Sequence, residues 1–241
     1  MIYIICGPTG SGKTSTAIEI AHLFNAPIVN ADAFQIYQDM NIGTAKIDKH
    51  DPDYQRHYLL DIITPEQSYS VKQYQDDFRR TIDELLKNYK NIVVCGGTGL
   101  YIRAAIYDYV FEEQEQDDVS DLEKLTNEQL YELLKEVDLK ATETIHMNNR
   151  KRVIRAISIA RTNKVKKSEN IENQTHELIY PKDEIRIMML SPNREQLYEN
   201  INRLTQGFKK SENIINKRRI SRRITNIESI NMENKFSLLS N

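Results

Sequence analysis

The run Gly7-Pro8-Thr9-Gly10-Ser11-Gly12-Lys13-Thr14 fits the pattern G-x-x-x-x-G-K-[ST] in full. An apolar β-type run (Ile2, Tyr3, Ile4, Ile5, Cys6) precedes it, and a helix-type pattern (Ala17, Ile18, Ile20, Ala21, Phe24) follows. Strand, glycine-rich loop and helix are the setting in which such a loop holds phosphate. The glycines let the loop wrap with its N–H groups turned inward, and the helix N-terminus adds positive potential. Lys13 brings a point charge to the outer phosphates, and the Thr14 hydroxyl is a candidate Mg²⁺ ligand. A chance glycine-rich turn is the bland alternative, and the flanking elements argue against it. The motif implies a grip on a di- or triphosphate. It does not say what is done with that phosphate.

The remaining pattern points to an α/β fold. Further β-type runs lie at 27–30, 92–95 and 185–190, and helix-type patterns at about 13–24, 71–89, 99–108 and 148–162. Alternation of this kind predicts βαβ units and a parallel sheet flanked by helices, a P-loop NTPase-like core. Residues 110–147 interrupt it with a polar segment and short helical patterns, which reads as a small helical insertion. The expected division is therefore 1–109 and 148–205 for the core, 110–147 for the insertion, and 206–241 for a basic C-terminal segment. Residues 163–183 read as loop.

With 241 residues, 39% hydrophobic and 28% charged, the chain has the composition of a soluble globular protein. No apolar run approaches the ~18 residues of a membrane span. No signal peptide is evident, and the two cysteines, Cys6 and Cys95, read as buried reduced thiols. A cytoplasmic protein without a membrane partner is the expectation. The net charge of −2 conceals an acidic block at 112–123 and two basic blocks, at 150–167 and 209–223. Each suits a solvated face, but two basic blocks in one chain also suit a nucleic-acid partner.

Asp32 ends the run Ile28-Val29-Asn30-Ala31-Asp32, and carboxyl ends of parallel strands line ligand sites. It suits a helix N-cap, a Mg²⁺-holding acid or a general base, and its position alone does not choose. A second glycine-rich turn, Cys95-Gly96-Gly97-Thr98-Gly99, lacks the terminal acid of a hydrolytic nucleotide site. It reads either as a tight strand-to-helix connection or as a ligand contact. In the 148–162 helix, Val153, Ile157 and Ala160 share one face, the expected core face, while Arg152 and Arg155 sit together on another. His57 has no ligand-type neighbour at metal spacing and reads as structural.

Taken together, GPTGSGKT (7–14), NADAFQIYQDMNIGTAK (30–46), HYLLDI (57–62), GGTGLYIRA (96–104) and IHMNNRKRVIRAI (145–157) resemble the bacterial tRNA dimethylallyltransferase family, also called tRNA isopentenyltransferase. The matches keep the family's order across residues 1–200, and the stretch from Asp32 to Lys46 followed by GGTGLY is far more specific than the phosphate loop. The resemblance implies transfer of a dimethylallyl group from dimethylallyl diphosphate to N6 of the adenine beside the anticodon of a tRNA. It implies Mg²⁺ as cofactor, the tRNA anticodon stem-loop as partner and, as an expectation, a monomer. Gly7, Pro8, Thr9, Gly10, Ser11, Gly12, Lys13 and Thr14 would hold the donor's diphosphate rather than ATP, with Lys13 and Thr14 taking part in catalysis and Thr14 on the metal. Asp32 would accept the adenine proton. Ala33, Phe34, Gln35 and Thr98 would line the adenine, and Lys151, Arg152, Val153, Ile154 and Arg155 would contact the tRNA.

This sequence departs from the family pattern in places. Ile47 follows Lys46 where the family usually has proline. Asn200 stands where the family has an arginine, so Arg203 is expected to supply part of the diphosphate-binding charge. The family's C-terminal third does not continue in its usual form, and 206–241 is expected to be incomplete relative to it. Two other functions compete: a P-loop kinase of a small metabolite, and a paralogue that binds tRNA without turnover.

Overall fold

In the computed structural model of the chain, the described residues are 1–109, 111, 118–163 and 177–210, with only the backbone described at 163 and over 204–210. Most of the acidic block (112–117) and the basic residues at 164–167 and 217–223 lie outside them. Two compact units form: Met1–Tyr107 with Leu178–Asn241, and Asp108–Glu177.

The first unit is built on five parallel strands, β1 (Ile2–Cys6), β2 (Ile28–Asn30), β3 (His57–Tyr58), β4 (Ile92–Gly96) and β5 (Ile185–Met189). Their order is β3-β2-β4-β1-β5. The four β-type runs are all strands, within one or two residues of the expected limits. The two-residue edge strand β3 is additional, being too short to carry an alternation signal. The three central strands are apolar on both faces because both are covered. Ile2, Ile4, Val29, Ile92 and Val94 pack under helices α2 (Val71–Leu85) and α3 (Gly99–Ile106), with Tyr74, Phe78 and Ile82 filling that layer. Ile5, Ile28 and Val93 face helix α1 (Lys13–Phe24) through Ala17 and Ala21. Ser70 and Gln73 form a capping box that starts α2. The edge strand β5 is different: beyond Ile185 every residue is exposed, including Ile187, Met188 and Met189.

This topology fixes where a ligand can sit. The connection from β1 leads past β4 to β2, and the connection from β4 leads past β1 to β5. These neighbouring strands send their chains in opposite directions, α1 to one face and α3 to the other. Such a divergence opens a crevice at the carboxyl ends of the two strands. The phosphate loop follows β1 and the GGTG turn follows β4, so both open onto it.

The second unit contains helices α4 (Asn127–Val137) and α5 (Arg150–Asn163). Its core is Leu122, Leu130, Leu134, Ala141, Ile145, Val153, Ala156 and Ile157. The insertion thus runs from 108 to 177 rather than 110 to 147, and α5, expected in the core, belongs to it. The reason is physical: the Val153/Ile157 face does pack into a core, but amphipathic spacing cannot say whose. Chain entry and exit are tied together by hydrogen bonds from Asp108 N–H to the Glu177 carbonyl (2.9 Å) and from Glu177 N–H to Asp108 Oδ1 (3.1 Å). Helix α6 (Arg194–Lys210) returns to the first unit.

Gly96 tests the packing of the strand ends. A Cβ there would lie 2.1 Å from the carbonyl carbon and oxygen of Ala31. Gly96→Ala is expected to lower stability by about 3 kcal/mol through forced separation of β2 and β4. Urea unfolding measures it, and a wild-type midpoint would show that the two strand ends part freely.

Candidate active-site cleft

The phosphate loop begins where β1 ends. Gly12, the residue before α1, has φ of 86°, a left-handed conformation open to glycine at little cost. The loop is closed by Ser11 N–H donating to the Pro8 carbonyl at 3.2 Å and by Lys13 Nζ donating to the same carbonyl at 2.7 Å. Burial lowers the Lys13 ammonium below the ordinary lysine range, against the opposing pull of Cys95, Asp32 and Cys6. The Ser11 hydroxyl is buried and finds no hydrogen-bond partner among the described residues. An unpaired buried hydroxyl beside a partly desolvated lysine suits an anion that supplies acceptor oxygens to both.

Asp32 follows β2 and is held by its backbone. The side chain of Asn30, itself buried, accepts from Asp32 N–H at 3.0 Å and donates to the carbonyls of Asp32 (3.1 Å) and Leu59 (3.0 Å). Asp32 Oδ1 accepts from Phe34 N–H at 3.0 Å, a local turn that no helix continues, so the N-cap reading does not hold. Oδ2 makes no hydrogen bond to any described residue. It lies 3.7 Å from the point where a Cβ on Gly97 would stand, and Lys13 Nζ lies equally far from that point. The carboxylate and the ammonium therefore border one small space, which glycine at position 97 leaves open.

The GGTG turn is both a connection and a brace. Thr98 N–H donates to the Ala31 carbonyl (3.2 Å), and Ala33 N–H donates to Thr98 Oγ1 (3.0 Å). Thr98 precedes α3 without capping it through its side chain.

A cleft of 390 Å³ joins these parts. Among the expected site residues it is lined by Thr9, Gly10, Ser11, Gly12, Lys13, Thr14, Asp32, Gln35 and Arg203. Gly7, Pro8, Ala33, Phe34 and Thr98 are not in its lining. Pro8 and Thr98 act through the bonds above, and Phe34 is exposed. Residues not assigned to the site from the sequence complete the wall: Ser15, Thr44, Ala45, Cys95, Gly96 and Asn200. Asn200 donates from Nδ2 to the Gly10 carbonyl at 2.8 Å and accepts from Arg203 at 3.3 Å. It thus ties α6 to the loop, and the 190-residue separation gives no local signal of it. Burial pushes the Cys95 thiol up to about 12, which favours the neutral thiol near neutrality.

Lys151 to Arg155 lie on α5 in the second unit. Lys151, Arg152 and Arg155 are exposed, and Ile154 is half-buried. Val153 is fully buried in that unit's core. The expectation that Val153 contacts tRNA is therefore corrected: it anchors the helix whose opposite face carries the arginines. His57 is structural as expected, its Nδ1 bonded to the Asp53 carbonyl at 2.8 Å.

Residues 35–227 match the family described as IPP transferase. The chain belongs to the IPP transferase family. It is 40% identical over 207 residues to a tRNA dimethylallyltransferase of Bacillus anthracis, covering 83% of this chain and 65% of that relative. Among solved structures it is similar to a tRNA delta(2)-isopentenylpyrophosphate transferase of Staphylococcus epidermidis, at 35% identity and a TM-score of 0.54, covering 85% of this chain and 68% of that one. A eukaryotic dimethylallyltransferase acting on tRNA shares the fold at a TM-score of 0.74 and 21% identity, over 98% of this chain and 57% of that one. The chain thus spans 65% of the length of its Bacillus relative.

The loop geometry yields a direct test. Lys13→Met is expected to weaken binding of inorganic pyrophosphate about 10- to 100-fold, the worth of one charged hydrogen-bonding partner. Titration calorimetry checks it. Unchanged affinity would place the anion elsewhere.

Proposed function

We propose that this chain transfers a dimethylallyl group from dimethylallyl diphosphate to N6 of the adenine beside the anticodon of a tRNA. The observation that carries the reading is the shared border of Asp32 Oδ2 and Lys13 Nζ at the mouth of the phosphate loop. Membership of the IPP transferase family and the names of the relatives support it.

The chemistry divides between the two ends of the cleft. The allylic carbon–oxygen bond of the donor breaks, and its electron pair leaves with the diphosphate. The loop N–H groups, the Ser11 hydroxyl and Lys13 meet that growing negative charge, an interaction stronger in the transition state than before it. The adenine amine forms the new carbon–nitrogen bond. This amine is a poor nucleophile, and its proton passes to the free oxygen of Asp32 as the bond forms. Phe34, exposed beside Asp32, offers a face on which an unstacked base can lie. Thr98 keeps the Ala33 backbone in place while its own hydroxyl hydrogen remains available for donation. Lys151, Arg152 and Arg155 would meet the tRNA backbone in a salt-dependent way.

Mg²⁺ fits the donor set of the cleft. Thr14 offers a hydroxyl oxygen, and among the described residues no group of three or more His, Cys, Asp or Glu is gathered to enclose a metal. A magnesium ion is commonly held by one or two protein oxygens, with phosphates and water completing its shell. When bound, it would neutralise charge on the departing diphosphate.

Labelled dimethylallyl diphosphate, incubated with the chain, Mg²⁺ and unmodified tRNA, is expected to mark the tRNA. Asp32→Ala should lower the rate at least about 100-fold while leaving pyrophosphate affinity unchanged. Full transfer by that variant would remove Asp32 as the base. tRNA binding without transfer by the wild-type chain would favour a non-catalytic binding role.

A further inference from the structure

The wall of the cleft formed by Gln35, Thr44 and Ala45 is a long irregular loop, and something must hold it. No regular element does. Residues 33–46 contain turns and one isolated bridge, Tyr37 with Ile63. The loop is instead tied to the segment after β3. Asp61 N–H donates to the Gln35 carbonyl (3.2 Å), Ile62 N–H to the Ile36 carbonyl (2.8 Å), and Gln38 N–H to the Ile63 carbonyl (2.7 Å).

Lys46 closes this arrangement. Its side chain is fully buried, and Nζ donates to Asp61 Oδ1 at 2.7 Å and to the Tyr37 carbonyl at 2.6 Å. Tyr54 donates its hydroxyl to Asp61 Oδ2 at 2.7 Å. Lys49, partly exposed, stands 3.9 Å from the same oxygen. Both Asp61 oxygens are thus engaged, and Lys46 spans from one end of the loop to its middle. The backbone around the pair is unusual. Asp39, Ala45, Leu59 and Asp61 all have φ between 50° and 59°, so four of the five non-glycine residues with positive φ among the described residues fall in these two segments. Aspartate tolerates that conformation, whereas alanine and leucine do so only when their surroundings impose it.

We propose that Lys46 and Asp61 are positioning residues, whose buried ion pair fixes Gln35, Thr44 and Ala45 as the acceptor-side wall of the cleft beside Asp32. The pair touches neither the phosphate loop nor, in its side chains, the cleft itself. It acts through the loop that it pins. Calling the acceptor an RNA adenine rests on the proposed prenyl transfer, whereas the pinning does not.

Asp61→Asn is the sharpest variant, because asparagine also tolerates a positive φ and only the charge is lost. Removing one member leaves Lys46 buried and unpaired, the costly outcome. Amide hydrogen exchange is expected to quicken at least about tenfold at Gln38, Lys46 and Ile62, while Ile4 in β1 and Val94 in β4 stay unchanged. Pyrophosphate affinity should stay at the wild-type value, and affinity for an anticodon stem-loop RNA with an adenine after the anticodon should fall at least about tenfold. If Asp61→Asn does not fold, the double variant Lys46→Met/Asp61→Asn removes both charges and carries the same measurements. Wild-type exchange at those three amides, or equal acceleration in the sheet, overturns the proposal, as does a fall in pyrophosphate affinity as large as that for RNA. If the wild-type chain binds no such RNA, prenyl transfer falls, and the exchange pattern together with retained pyrophosphate affinity decides the pinning.

Discussion

The cleft depends on how β2 and β4 join beyond their last paired residues. Ala31 N–H donates to the Cys95 carbonyl at 2.8 Å, its own carbonyl accepts from Thr98, and Gly96 lies against it with no room for a side chain. The chain is therefore still zipped when it reaches Asp32 on one side and Gly97 on the other. Asn30 adds three hydrogen bonds from within the core. A carboxylate on a free loop would sample many positions. This one is carried by backbone that the sheet has already ordered, so the cost of fixing it was met in folding.

The loop at 7–14 and the wall formed by Gln35, Thr44 and Ala45 are stabilised by different means. The loop stays partly unsatisfied: a buried serine hydroxyl without a described partner, and a lysine whose charge burial disfavours. Both groups gain from an incoming anion. The wall at Gln35, Thr44 and Ala45 is held by internal bonds: Gln35 Nε2 donates to the Thr44 carbonyl at 2.9 Å, and both Asp61 oxygens behind it are taken. Desolvation alone would raise Asp61, yet its bonds from Lys46 and Tyr54 bring it below the usual carboxylate range. Burial lowers Lys46 in turn, and burial with the Asp61 contact pushes Tyr54 up to about 12. Losing one member of such a pair typically costs about 3–5 kcal/mol, because the other charge is left buried and uncompensated. One side of the cleft is thus arranged to respond to a ligand, and the other to keep its shape without one.

Much of this was legible in the sequence where a short stretch carries its own physics. The loop at 7–14, the strand and helix on either side of it and Asp32 at a strand end needed only local pattern. The family resemblance came from stretches such as 30–46, which includes Thr44 and Ala45, although their place in the cleft wall was not read from it. Partnership between distant segments stayed hidden. Lys46 and Asp61 stood in two separate family-like stretches, 30–46 and 57–62, and their pairing needs the β3 edge, two residues long, to bring them together. Asn200 reaches Gly10 only once α6 is placed. The α5 helix showed its apolar face but not the core that the face would join.

The second unit leaves the first and returns to it through one narrow neck. Tyr107 and Leu178 pair across that neck, with Ile179 N–H donating to the Ile106 carbonyl at 3.0 Å, and Asp108 and Glu177 pair just beyond. Its apolar core is its own. Because both of its ends meet at these backbone bonds, a change in the length of the stretch between Asp108 and Glu177 asks for no change of register in the strands that carry the loop and Asp32.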